Sequence, residues 1–140
     1  MPFELRDHTA DVAVEAAAPT LSGVFAAVAD GLAAASCDEI PAAGGETIEV
    51  AVDAQRPEAL LFDYLDQLIY ERDVRAVLPV DHEVRIEEPS GGRDEWRLTG
   101  TYRGVPLDRV DAREVKAVTY SEMRLDETDA GWSAYVVFDV

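Results

Sequence analysis

The chain of 140 residues carries 29 acidic against 12 basic side chains, a formal net charge of −17 at pH 7. Its length suits one domain with a sizeable core, and 48% hydrophobic residues are typical of a folded chain rather than a disordered one. So acidic a surface opposes unaided binding to nucleic acid, because each phosphate contact normally requires a basic side chain. No apolar run approaches the roughly 18 residues of a membrane span. We therefore expect a cytoplasmic protein.

The acidity has two interpretations, which the charge alone does not separate. The chain is rich in alanine, and Lys116 is the only lysine among its basic residues, a composition typical of halophilic proteins. The alternative is an acidic face made for a basic partner. Cys37 is the only cysteine, so an intramolecular disulfide is excluded, which agrees with a reducing compartment.

A polar stretch, residues 7–11, lies between two short predicted strands near the N-terminus. Residues 3–6 and 12–16 alternate apolar and polar side chains, as half-buried strands do. A polar turn would account for the stretch, because Asp and Thr side chains bond nearby backbone groups. The alternative is an oxygen-rich site for a metal ion or a partner. In that site Asp11 is an anionic ligand, and His8 is a second ligand or an orienting neighbour.

Two amphipathic helices are predicted, with a strand at residues 47–52 between them. The first begins after Thr20, which can cap it, and buries one apolar face. The second runs from about residue 57 to residue 72 and buries a stripe of leucine, isoleucine and tyrosine side chains. Its acidic side chains are predicted to face solvent; they are Glu58, Asp63, Asp66, Glu71 and Asp73.

From residue 76 onwards the pattern indicates strands almost throughout. Residues 77–86 and 96–102 form a predicted hairpin, and a further strand begins at residue 114 and runs towards residue 125. The last strand covers residues 132–139. His82 lies in an acidic strand and is predicted to be exposed. Mixed elements followed by a run of strands predict an α+β fold, in which two helices pack against a largely antiparallel β-sheet in one compact domain.

The chain ends with two neighbouring anions, the side chain of Asp139 and the terminal carboxylate of Val140. Such groups repel each other unless a cation lies between them. A frayed, solvated end is the alternative, but apolar residues continue up to Asp139, as in a docked strand. If Asp11 lies beside that end, the oxygens of the three residues would suit Mg²⁺, Ca²⁺ or Mn²⁺. Spacing alone does not show that they meet.

Four segments, taken in order, resemble the archease family: residues 8–12, 60–66, 116–120 and 137–140. The resemblance covers essentially the whole chain as a single domain, residues 1–140. It implies a protein that is not itself an enzyme. Archeases activate the RtcB-type RNA ligase of tRNA splicing, promoting guanylylation of the ligase and its repeated turnover.

The resemblance also implies roles for particular residues. Asp11 and Asp139 match positions implicated in a divalent metal site and in activation, and Val140 matches the position whose carboxylate or carbonyl completes that site. The metal is Ca²⁺, Mg²⁺ or Mn²⁺. His8 is expected to support the site, and Lys116 either faces the partner or is an ordinary strand cation paired with a nearby carboxylate.

The chain departs from the family pattern at one position, and its candidate site residues are also compatible with two other functions. Family members often carry histidine after the third segment, where this chain has Ser121, so a role for that imidazole does not transfer. A metal-dependent hydrolase acting through Asp11 and Asp139 is one alternative function, and an acidic chaperone or adaptor is the other. No glycine-rich phosphate loop is present, so we expect no strong nucleotide binding by this chain alone.

Overall fold

The computed structural model describes residues 3–7 and 11–140, which form seven strands, two α-helices and one short 3₁₀ helix. The elements are β1 (Phe3–Asp7), β2 (Asp11–Ala18), α1 (Leu21–Ser36), β3 (Glu46–Ala54), α2 (Pro57–Arg75), β4 (Val77–Glu87), β5 (Trp96–Pro106), the 3₁₀ helix (Leu107–Arg109), β6 (Ala117–Thr128) and β7 (Gly131–Asp139). None of the helices in this part of the chain combines the length and the apolarity that crossing a membrane requires.

The strands form two antiparallel sheets. One has the order β1-β2-β7-β6 and the other the order β3-β5-β4. α1 packs on β2 and β4, and α2 packs on β3 and β6, so each helix contacts both sheets and one hydrophobic core joins them. The predicted α+β class with two helices and antiparallel strands is confirmed. The division of the strands into two sheets was not predicted, because it depends on pairings between segments that are distant in sequence.

The first helix begins and packs as its sequence predicts. The Thr20 Oγ1 atom accepts a hydrogen bond from the Gly23 N–H at 3.0 Å, which caps α1. Val24, Phe25 and Val28 are fully buried. Gly31 lowers helix propensity but permits close packing, because a Cβ atom there would lie 2.5 Å from Val14 Cγ1 on β2.

The second helix matches its prediction on the apolar face but not at Glu71, one of the acidic residues predicted to face solvent. Its apolar stripe is buried as expected, and α2 continues to Arg75, beyond the predicted end. The prediction that Glu71 faces solvent is wrong, because the residue is only 7% exposed. Its Oε1 atom accepts hydrogen bonds from Tyr102 Oη at 2.8 Å and from Arg75 Nε at 2.9 Å. Gln67 Nε2 donates to Oε2 at 3.2 Å, and we call these four residues the Glu71 network.

The prediction that His82 is exposed is also wrong, since it is 7% exposed. Along β4, His82 alternates with the exposed Asp81 and Glu83, and it lies where the pairing of β4 with β5 shifts between Val80 and Glu83. His82 Nε2 lies 3.2 Å from the Pro79 carbonyl, which can only accept, so Nε2 carries the hydrogen. Nδ1, 3.4 Å from Tyr64 Oη, then accepts from that hydroxyl. Burial lowers the pKa of His82 to about 4, so the ring is neutral at pH 7.

Candidate functional site

The two carboxylates singled out by the sequence lie opposite each other. The register of β2 and β7 pairs Asp11 directly with Asp139. Directly opposed residues of an antiparallel pair share one face of the sheet, with Cα atoms about 4.5–5.5 Å apart. The two side chains therefore project side by side, and we call them the carboxylate pair.

The carboxylate pair projects from the face of the four-stranded sheet that the helices do not cover. On β7 the alternate residues Val136 and Phe138 are fully buried in the core, as is Val14 on β2. Successive side chains of a strand point to opposite faces, so the residues that alternate with these buried ones, including Asp11 and Asp139, point to the other face of the sheet. Asp11 is half-buried with its Oδ1 atom enclosed, whereas Asp139 is exposed.

A third strand extends this arrangement. β6 places Ala117 opposite Asp139, so the row across the sheet reads Asp11, Asp139, Ala117. The next row on the same face contains Ala13, Val137 and Thr119, and the first two of these residues are buried. The buried Thr119 Oγ1 atom has no hydrogen-bond partner within residues 3–7 and 11–140. Thr119 was not among the residues predicted for this site, although a period of two from Ala117 places it on this face.

The last strand is held to its end. Asp139 pairs with Asp11 on one side, and its carbonyl accepts a hydrogen bond from the Lys116 N–H at 2.8 Å on the other. The expectation of a docked final strand is confirmed, and Lys116, with an exposed side chain, lies at the same end of the sheet. Val140 follows directly and is 48% exposed. His8 lies outside the described residues.

Ser121, which stands where the family often has histidine, lies in an irregular part of β6. The pairing of β6 with β7 shifts between Thr119 and Arg124, and Glu122 within that segment has φ of 61°. Ser121 is exposed there. Its position on the strand therefore does not follow from simple alternation.

The chemistry of the carboxylate pair suits a hard cation. Like charges directly opposite each other on adjacent strands are destabilising, and a cation between them reverses that effect. Carboxylate oxygens are the ligands that Mg²⁺, Ca²⁺ and Mn²⁺ prefer. No group of three or more His, Cys, Asp or Glu residues able to hold a metal occurs in the described part of the chain. A further oxygen would therefore have to come from elsewhere, and Val140 is adjacent to Asp139 in sequence.

Comparison with known proteins gives one consistent result. Residues 3–140 match the model of the archease protein family. The protein archease of Thermococcus gammatolerans is 35% identical over 142 residues, which cover 99% of this chain and 98% of the relative. That of Methanopyrus kandleri is 30% identical over 143 residues, covering 100% of both chains.

Solved structures agree with the fold. The solution structure of Methanobacterium thermoautotrophicum protein 1598 matches with a TM-score of 0.85 at 30% identity, covering 99% of each chain. An archease of Thermotoga maritima, described as a possible chaperone, matches with a TM-score of 0.63 at 21% identity, covering 98% of this chain and 96% of that one. The second similarity concerns the fold alone.

Proposed function

This chain belongs to the archease family, and from that premise we propose that it activates the RtcB-type RNA ligase of tRNA splicing without catalysing a reaction itself. It promotes guanylylation of the ligase and so permits repeated turnover. The observation that carries this proposal is the direct pairing of Asp11 with Asp139 across β2 and β7. Two acids from opposite ends of the chain are held together at one end of a sheet, where they can be presented to a partner.

The residues at this end of the sheet fit a divalent cation. Asp11, Asp139 and the terminal carboxylate of Val140 would hold Ca²⁺, Mg²⁺ or Mn²⁺ through hard oxygen donors. When bound, the cation supplies charge neutralisation near the phosphates of the reacting nucleotide. The register of β2 and β7 fixes the carboxylates before the partner arrives, so little ordering is needed on binding. Lys116, at the same end, supplies a positive charge for a phosphate oxygen.

The rest of the chemistry belongs to the ligase. This chain has no glycine-rich phosphate loop, and its net charge of −17 opposes contact with RNA phosphates. A metal-dependent hydrolase would need a general base beside the carboxylates. His82 is buried in the core against Tyr64, which leaves His8, three residues before Asp11 in the sequence, as the candidate for that role. The family match supports the activator rather than the hydrolase.

A reconstituted guanylylation assay with purified ligase tests the proposal. We expect Asp11→Ala and Asp139→Ala to keep the fold, checked by circular dichroism, and to abolish activation. Glu127→Ala removes an exposed acid elsewhere on β6 and should activate normally. Normal activation by either aspartate variant would show that the carboxylate pair is not the site. Multiple turnover of a phosphate ester by this chain alone, with Mg²⁺ or Mn²⁺, would contradict a non-enzymatic role.

A second measurement concerns the chain end. A peptide tag added after Val140 converts its terminal carboxylate into an amide and crowds the carboxylate pair. We expect weaker binding of Ca²⁺ or Mn²⁺, measured by calorimetry against the untagged chain. Equal metal affinity with and without the tag would remove Val140 from the proposed site.

A further inference from the structure

Several large apolar side chains of the described residues are exposed, and they are not scattered evenly. Tyr70 and Val74 on α2 are 57% and 62% exposed, and Tyr120 on β6 is 52% exposed. Single exposed apolar residues are ordinary, whereas a group on adjoining elements marks an interaction surface. α2 packs against β6, so these three side chains belong to one side of the molecule.

The exposed residues of α2 lie in a row along the helix. Phe62, Asp66, Tyr70 and Val74 recur at every fourth position, which places them along one side of a helix. Phe62 also stacks on Tyr120, with ring centroids 4.0 Å apart and planes 3° apart. This stack fixes the Tyr120 ring against the helix while half of the residue stays exposed. We call these five residues the α2 ridge.

The charge around the α2 ridge is negative. Asp63 and Asp66 are exposed beside the stacked rings. Partial burial raises the pKa of Asp63, and the neighbouring charge of Asp66 raises it further. Asp73 near the helix end forms an ion pair with Arg72 at 2.9 Å, so the nearest arginine is already engaged. A positive group on a partner would relieve the repulsion between the two aspartates.

The C-terminal half of α2 contacts the end of the sheet that carries the carboxylate pair. Arg72 Nη1 donates to the Val115 carbonyl at 2.6 Å, and the next residue, Lys116, donates its backbone N–H to the Asp139 carbonyl at 2.8 Å. The backbone at the C-terminal end of α2 is therefore near Lys116 and Asp139, while Arg72 itself is buried and the carboxylates project from the opposite face of the sheet. A partner that contacts both regions has to extend around this end of the sheet.

We propose that the α2 ridge is the surface through which this chain docks on the RtcB-type ligase, and that it fits an arginine-bearing, basic protein surface. The inference rests on the proposed function and adds the surface and the chemistry of its partner. An arginine guanidinium can both stack on the Tyr70 or Tyr120 ring and pair with Asp66. RNA is excluded as the occupant by the negative charge of the ridge. A second copy is disfavoured because a twofold contact would bring the same aspartates together.

The test is a calorimetric titration of the purified ligase at one ionic strength. We compare the wild-type chain with Asp66→Arg and with the double variant Tyr70→Ala/Val74→Ala. Matched controls are Glu49→Arg, a charge reversal at an exposed position of β3, and Leu5→Ala, a truncation of an exposed apolar side chain on β1. We expect both ridge variants to bind at least about tenfold more weakly and both controls to bind within about twofold of wild type.

Guanylylation at increasing concentrations of this chain separates docking from chemistry. Ridge variants should need a higher concentration but reach the wild-type maximum, whereas Asp11→Ala should lower the maximum itself. Ridge variants that bind like wild type overturn the docking surface and leave the activator function standing. A wild-type chain that neither binds nor activates the ligase overturns both. A wild-type dimer in sedimentation analysis that the ridge variants lose would assign the surface to a second copy and overturn the proposed partner.

Discussion

The buried carboxylate of Glu71 and the carboxylate pair of Asp11 and Asp139 have opposite surroundings. The carboxylate of Glu71 is buried and accepts hydrogen bonds from Gln67, Arg75 and Tyr102. The carboxylate of Asp139 is exposed at a strand end and lies directly opposite a second carboxylate, that of Asp11. Hydrogen-bond donors of the chain itself surround the Glu71 carboxylate, whereas the carboxylate pair places two like charges side by side.

This difference separates structural from functional acids. A buried charge that is satisfied by its own network holds the fold in one arrangement and offers nothing to a ligand. Two aligned carboxylates at the end of a sheet lower the stability of the free chain slightly and favour a cation that joins them. Removing an acid should therefore have opposite effects on stability in the two regions, which Glu71→Ala and Asp139→Asn can measure.

The largest loss of stability is expected inside the Glu71 network. Glu71→Ala leaves the Tyr102 hydroxyl buried without its acceptor and removes the partner of Arg75. We expect a loss of about 3 kcal/mol in the free energy of unfolding, measured by urea denaturation. Glu58→Ala, in the exposed first turn of the same helix, should change it by at most about 0.5 kcal/mol. A loss below about 1 kcal/mol for Glu71→Ala would mean that the network does not hold the core.

The second effect concerns acid sensitivity through His82. Its pKa is lowered from 6.5 to about 4 in the folded chain, so the unfolded state takes up a proton first as the pH falls. Stability present above pH 6.5 is therefore lost on acidification, by about 2 kcal/mol between pH 7 and pH 5. Urea midpoints at both pH values should show this loss for wild type and a smaller one for His82→Gln.

Asp30 complicates the pH dependence and makes the paired comparison necessary. Its carboxylate accepts the His82 backbone N–H, and burial raises its pKa. A raised carboxyl pKa favours the protonated folded state, so acidification through that pKa acts in the direction opposite to His82. The variant His82→Gln keeps the backbone N–H and the aspartate. An equal pH dependence in both chains would contradict the assignment to the imidazole.

Much of this fold could be predicted from local patterns. Alternation located the strands, the apolar stripes located the helices, and Thr20 marked the start of α1. Apolar residues up to Asp139 indicated a docked final strand. These features depend on neighbouring residues only, which is why one sequence sufficed.

The buried polar residues could not be predicted in the same way. The acceptor role of Glu71 depends on Tyr102, which a distant strand supplies, and the buried imidazole of His82 has its hydroxyl partner in Tyr64, which α2 supplies. A period of two from Val80 through Val84 and Ile86 places that histidine on the apolar face, whereas its acidic neighbours Asp81 and Glu83 suggested exposure. Local spacing also left open whether Asp11 meets Asp139, because register between the two ends of the chain is set by the whole sheet.

A smaller effect is expected beside the carboxylate pair, at Thr119. Its buried hydroxyl has no partner among the described residues, unlike the polar groups of the Glu71 network. Thr119→Val replaces it with a methyl group of similar size, and we expect a gain of up to about 1 kcal/mol in the free energy of unfolding. Thr119 opposes Val137, two residues from Asp139, so it is a diagonal neighbour of the carboxylate pair on the same face of the sheet. A loss of stability would show that the hydroxyl has a partner.

Asp139→Asn is expected to have the smallest effect on the free energy of unfolding in metal-free buffer. It is also the most direct test of the difference between Glu71 and the carboxylate pair. Neutralising one of two opposed carboxylates should raise the free energy of unfolding by about 0.5 kcal/mol at low salt, the reverse of the change at Glu71. Added Ca²⁺, Mg²⁺ or Mn²⁺ should then raise the melting temperature of wild type and not of the variant, because a ligand stabilises only the state that binds it. Glu127→Gln removes the same charge from an exposed position on β6 and should respond to the cations as wild type does. If Asp139→Asn also responds like wild type, the opposed carboxylates do not form a cation site, and the distinction between structural and functional acids fails at this position.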